Sequence, residues 1–312
     1  MELLRDIAKD GFPTDYLIAR VRARRAAVTR EWRAALARKA PPSTSDEAIW
    51  DGLLEEYAWL YGQMDARMRA RLAPVLALFE LKTLVLCLRN IDAGRREEVA
   101  RLLEHSLLAE PVVSALRTAG DVRTALAALA EVAPSALGAG AGALEDAYAK
   151  GGLKNVENRL VRAWLAQAVK GRLAPSVRAF LVAFIDLRNV VTVYKRLRWE
   201  IEDEEPAFIA GGSLLIERLA AASARGAMAQ FDALVREVAG RDAPPLAASE
   251  TALETVLLGH LAGRLREDAR EGGDVAVLLD YLWRLYVAAR NRALLLHADV
   301  QGTAMLEREL IA

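Results

Sequence analysis

One short pattern recurs on three stretches of this chain that read as helices, and it limits the available folds more than any other feature. It runs Glu80-Leu81-Lys82-Thr83-Leu84-Val85, then Asp186-Leu187-Arg188-Asn189-Val190-Val191, then, altered, Ala288-Ala289-Arg290-Asn291-Arg292-Ala293. Seven positions past each central base stands a further basic or imidazole side chain: Arg89, Lys195 and His297. Self-similarity at intervals of about a hundred residues is the mark of a repeated supersecondary unit. The chain therefore divides into three pseudo-repeated helical-bundle units, at 1–132 with a long N-terminal helix, at 133–240 and at 241–312. The small-residue stretch 133–142 and Asp242-Ala243-Pro244-Pro245 mark the two boundaries.

The fold class is all-α. Ala, Leu, Arg and Glu dominate, and hairpin turns flanked by alternating apolar residues are missing. A first helix opens at Thr14 as N-cap and runs to about residue 40, ahead of Pro41-Pro42, with Leu17, Ile18, Val21, Val28, Trp32 and Leu36 at helical spacing. Gly and Pro punctuation at Asp92-Ala93-Gly94, Gly151-Gly152, Gly171, Gly211-Gly212-Ser213 and Gly272-Gly273 cuts the rest into about a dozen helices. Thr251-Ala252-Leu253-Glu254 has the spacing of a capping box that opens one of them.

On the second motif helix, Leu187, Val190, Val191 and Tyr194 form an apolar stripe, repeated by Leu81, Leu84, Val85 and Leu88 on the first. Arg188, Thr192 and Lys195 line up beside it. Asparagine costs helix propensity in a helix interior, so Asn189 and Asn291 at matching positions call for a tertiary partner, such as a neighbouring loop or helix end. The candidates for structural or partner-binding roles are Glu80, Lys82, Asp186, Arg188, Asn189, Lys195, Arg290 and Asn291. Whether the basic stripes brace the units or line a cavity that meets a partner stays open at this stage.

Other chemistry finds little support. Forty-two basic residues balance forty-two acidic ones, which removes the field that drives sequence-independent nucleic-acid binding. The arginines of the first helix, from Arg20 to Arg33, have no accompanying aromatic stacking surface. The acid run at 200–206 reads as a solvated loop. His105, His260 and His297 share no metal-ligand spacing, no phosphate-binding glycine loop follows a strand, and Cys87 sits among leucines as a buried small hydrophobe. Catalytic residues, metals and cofactors are not expected. The N-terminus breaks with charges where a signal peptide needs an apolar run, and the most apolar window, 72–88, holds Pro74, Glu80 and Lys82, so a spanning segment is not expected either.

Together these motifs resemble the triplicated unit of the C subunit of prokaryotic V/A-type ATPases, the counterpart of the d subunit of eukaryotic V-ATPases. The resemblance extends to Tyr16-Leu17-Ile18-Ala19-Arg20-Val21-Arg22 at the first helix, Phe208-Ile209-Ala210-Gly211-Gly212-Ser213-Leu214 after the second motif, and Glu307-Arg308-Glu309-Leu310 in the tail. Each unit also carries an upstream acid, at Glu55, Glu157 and Glu254. Thr83 in an Asn column and Ala288 in an acid column depart from the pattern. The resemblance implies a funnel of helices without an active site, peripheral on the cytoplasmic face of the membrane. Its partners would be the central-stalk subunits and the membrane proteolipid ring, between which it passes torque for ion transport. The alternative is a helical-repeat scaffold for another protein or RNA.

Overall fold

The computed structural model describes residues 3–37, 45–137, 141–201, 208–240, 249–297 and 310–311, without the side chains of 29–37, 135, 136, 141 and 297. The proline pairs at 41–42 and 244–245, residues 202–206 of the acid run, the glycines at 138 and 140 and the acidic tail at 307–309 lie outside the described residues. So do the side chains of Arg30, Trp32, Arg33, Leu36 and His297. Among the described residues the chain is all-α, with thirteen helices and one isolated antiparallel β-bridge, Leu4 to Leu108.

The helices belong to two compact units. The first comprises Met1–Thr14 and Asp51–Arg172. The second comprises Asp15–Trp50 and Leu173–Ala312. Helices α1 (Thr14–Ala37) and the start of α2 (Asp46–Gln63) contribute to the second unit, and the rest of α2 to the first.

In the first unit α3 (Ala66–Asp92) is followed by α4 (Arg96–Glu104), α5 (Glu110–Thr118), α6 (Val122–Val132), the short α7 (Pro134–Leu137) and α8 (Ala141–Ala168). Asp65 caps α3 by accepting from the Met68 N–H at 2.7 Å. The helix ends just ahead of Gly94, whose φ of +70° suits glycine. Leu60, Met64, Leu72, Leu76, Leu81 and Leu84 are fully buried. α3 packs on α4, α6 and α8. As expected, the Gly151-Gly152 pair interrupts the helix: both residues leave helical φ/ψ, with Gly152 at φ +63°, so α8 is two helical stretches joined at a kink.

In the second unit α9 (Pro175–Trp199) packs on α10 (Ile216–Ala222), α11 (Met228–Ala239), α12 (Glu250–Glu271) and α13 (Asp274–His297). Pro175 occupies the first turn of α9, where its missing N–H is harmless. Phe180, Phe231, Tyr281 and Trp283 are fully buried. The capping-box reading at Thr251 needs correction. α12 opens two residues earlier, with Ser249 as N-cap accepting from the Ala252 N–H at 3.1 Å. A serine directly ahead of the first helical residue satisfies an orphan donor, and Thr251 already lies inside the helix.

Candidate functional site

The motif falls on α3, α9 and α13, and its polar side chains divide by depth. Glu80, Asp186, Asn189 and Asn291 are buried, Arg188, Lys195 and Arg290 are half-buried, and Lys82 is exposed. Leu187, Val190, Val191 and Tyr194 are all buried, as are Leu81, Leu84, Val85 and Leu88.

The buried members grip backbone. Asn189 Nδ2 donates to the Ile209 carbonyl at 2.9 Å, and the Ile209 N–H donates to Asn189 Oδ1 at 2.8 Å. Asn291 does the same to Ile311, at 2.8 Å and 3.2 Å. In both cases the partner lies 20 residues downstream. A primary amide presents a donor and an acceptor side by side, which matches the N–H and carbonyl of a single residue. In the first motif Thr83 takes the asparagine column, and the residue 20 positions on, Leu103, lies within α4. The Leu103 N–H lies within the helix and its carbonyl, in the last turn, accepts from the Ser106 hydroxyl at 3.3 Å, so no amide is needed.

The acid column grips further along. Glu80 Oε1 accepts from the Leu107 N–H at 2.7 Å, 27 residues on. Asp186 accepts from the Ser213 N–H at 3.1 Å, the Ser213 hydroxyl at 2.6 Å and the Leu214 N–H at 3.1 Å, at separations of 27 and 28. Gly212 is required here, because a Cβ would stand 2.2 Å from Asp186 Oδ1. Glu80 is less well served: Oε2 has no hydrogen-bond partner among the described residues. Burial pushes its carboxyl up to about 7, against the Leu107 N–H, the Thr83 hydroxyl and the Arg5 charge, which pull it down. Burial also raises the nearby Cys87 thiol to about 12, with the Glu80 charge adding to the effect. That thiol is protonated and unreactive at neutral pH.

The bases behave differently. Lys195 Nζ lies 2.7 Å from Glu250 Oε1, at the first turn of α12, and 6.0 Å from the centroid of the exposed Trp199 ring. Arg89, in the same column as Lys195, pairs with Glu157 on α8. Each of these bases thus meets an acid on the long helix packed against its own. Arg188 and Arg290 both act on the Tyr286 phenol. Burial raises that phenol, Arg290 and Arg188 draw it down, and the Glu254 charge raises it. Tyr286 sits in an aromatic row with Trp50, Trp283 and Phe180.

Two buried charges went unnoticed in the sequence. Asp280, 1% exposed, accepts from Arg25 at 2.8 Å and from Arg284 at 2.9 and 3.0 Å. The signal was present: a single acid interrupts the apolar run from Val275 to Trp283, with an arginine four residues on. Arg69 donates to the carbonyls of Met64 and Ile7 and to Asp10, and nothing in its neighbours distinguishes it from other arginines. No group of His, Cys, Asp and Glu able to hold a metal ion occurs among the described residues. None of the helices, searched over the described residues, is long and apolar enough to cross a membrane.

The profile of the ATP synthase (C/AC39) subunit family matches residues 29–294, a span that takes in the three motifs at 80–85, 186–191 and 288–293. The chain belongs to this family. It is the C/d family of V/A-type ATPases, whose members are non-catalytic subunits. The C/AC39 match covers Asn189 with its partner Ile209, and Asn291 but not Ile311. No curated protein matches the chain in sequence.

Proposed function

We propose that this subunit is a rotor component, a socket that receives the tip of the central stalk and seats it on the membrane proteolipid ring, carrying torque between ATP turnover and ion movement. It works on the cytoplasmic face of the membrane as a peripheral protein. The observation that carries the reading is the family match across residues 29–294. The clamps support it: a part that transmits torque has to resist shear between its helices, and buried side-chain bonds to backbone hold loops to helices without relying on flexible surface contacts. In this reading the repeats at 1–132, 133–240 and 241–312 supply successive walls, and Lys82, Arg188, Lys195 and Arg290 line or brace them.

The deciding experiment is a pull-down of the tagged full chain from native membranes. Co-purification of a proteolipid ring with stalk subunits is expected, and recovery of the chain alone would refute the rotor reading. The double charge reversal Arg188→Glu with Lys195→Glu should lower stalk recovery at least about tenfold in a chain that still folds by circular dichroism. An unfolded product would instead make these residues braces, as the Lys195 to Glu250 pair already suggests for one of them.

A further inference from the structure

The acids Glu80 and Asp186 organise the same local structure in the two units, but among the described residues only one of the resulting edges is occupied. In the first unit Glu80 holds Leu107, the buried Leu108 follows, and Ala109 caps α5 with φ −65° and ψ 146°. In the second unit Asp186 holds Ser213, the buried Leu214 follows, and Leu215 caps α10 with φ −70° and ψ 139°. The backbones of the two caps agree within a few degrees.

In the first unit this edge carries a strand partner. The Arg5 N–H donates to the Leu107 carbonyl at 2.8 Å, the Ala109 N–H donates to the Leu3 carbonyl at 2.9 Å, and Leu4 pairs antiparallel with Leu108. Leu3 and Leu4 are both buried by this pairing and its surroundings. In the second unit the corresponding groups, the Ser213 carbonyl and the Leu215 N–H, have no hydrogen-bond partner among the described residues. The side chains beside them are apolar and exposed, Leu215 at 62% and Ile216 at 38%.

We infer that Ser213-Leu214-Leu215 is a docking edge that takes an extended, apolar-centred segment of another subunit by antiparallel strand addition, as residues 3–5 do in cis at Leu107-Leu108-Ala109. Strand addition draws its affinity from main-chain bonds and its selectivity from the side chains beside them. Here the segment would bond the Ser213 carbonyl and the Leu215 N–H as residues 3–5 bond Leu107 and Ala109, and its apolar side chains would cover the exposed Leu215 and Ile216, Leu214 being buried already. Among the described residues the strand of this kind, residues 3–5, is engaged in the first unit, and the occupant inferred here is a segment of another polypeptide. Asp186 and Gly212 fix the edge before the partner arrives, which lowers the ordering cost of docking. The inference rests on the rotor reading only for the source of the segment.

Hydrogen exchange at the Leu215 amide tests it, compared between the full chain in the purified membrane complex and the full chain alone. Exchange at least about tenfold slower in the complex is expected. Equal rates in the two states, with stalk and ring present, would overturn the docking edge and leave the rotor reading intact. Protection already present in a free dimer would also overturn it, since the occupant would then be a second copy. If the chain joins no complex, the rotor reading falls, and the probe becomes a synthetic Glu-Leu-Leu-Arg-Asp-Ile peptide copying residues 2–7. Slower Leu215 exchange with that peptide supports the edge, and none overturns it. Leu215→Pro removes the N–H at a φ that proline adopts, and should lose retention in the complex. Leu215→Ala, matching Ala109, keeps the N–H and should be retained better than the proline variant. A proline variant that folds and is retained like the parent would count against the pairing.

Discussion

At the scale of single residues, the motif works through side chains that hold main chain. Truncating Asn189 leaves the buried N–H and carbonyl of Ile209 without partners. Unsatisfied buried groups cost about 1–3 kcal/mol each, so Asn189→Ala should lose about 2–5 kcal/mol in urea unfolding at an unchanged m-value. Glu80 makes a pH-dependent contribution. Its carboxyl rises from 4.5 to about 7 in the folded chain, so the folded state holds the proton more tightly than the unfolded one. The resulting stabilisation is complete below pH 4.5 and is lost as pH climbs through 7, by about 3 kcal/mol at most. Glu80→Gln cannot titrate. The difference in unfolding free energy between variant and parent should therefore move in the variant's favour by about 2–3 kcal/mol between pH 4.5 and 8, and a pH-independent difference would refute this. Helix propensity made the need for a partner at Asn189 and Asn291 legible in the sequence. The identity of that partner was not, because an amide reading backbone leaves no complementary residue type at position 209 or 311. Asp280 was legible in principle and was missed. Arg69 carries no such signal.

At the scale of elements, the glycines separate two kinds of constraint. In the turn between α9 and α10, a methyl at Gly212 would meet Asp186 Oδ1 at 2.2 Å and Ile185 Cγ2 at 3.0 Å. Gly212→Ala should break the three bonds that Asp186 makes, at a cost of about 2–4 kcal/mol. Gly259, inside α12, has nothing within 4 Å of the place a Cβ would take. Gly259→Ala should therefore stabilise the protein by about 0.5–1 kcal/mol, since alanine loses less backbone entropy in a helix. Thermal unfolding of the pair should shift the midpoint in opposite directions. Most breaks between helices were legible as Gly and Pro punctuation. One was misjudged: α12 begins after Ser249 rather than at the capping-box spacing two residues on, whereas Gly151-Gly152 does interrupt the helical backbone of α8. Such choices depend on which neighbours bury the turn, and local sequence does not record that.

At the scale of the whole molecule, kinship in sequence and packing in space divide the chain differently. The repeats suggest three successive spans, whereas the compact units are two, and the chain passes between them three times. Repeats record how a chain is related to itself, but only packing decides what folds as a unit. The second unit includes α1, whose Leu17, Ile18 and Val21 are buried and whose Arg25 meets Asp280. Burying three such side chains contributes about 1.5–3 kcal/mol each, comparable in sum to the stability of an ordinary domain. A fragment of residues 173–312 should therefore lack cooperative unfolding by itself and recover it when a peptide covering 15–50 is added. Independent cooperative unfolding of the fragment would show that α1 is dispensable. This interleaving was invisible in the sequence, where 15–50 carries no mark of the distant helices it joins. The asparagine grip on Ile209 and Ile311 has one more consequence. A hand that closes on the main chain is blind to what hangs from it, so this grip by itself fixes only the 20-residue spacing, while the letters at Gly212 and Ser213 in the same loop are set by Asp186.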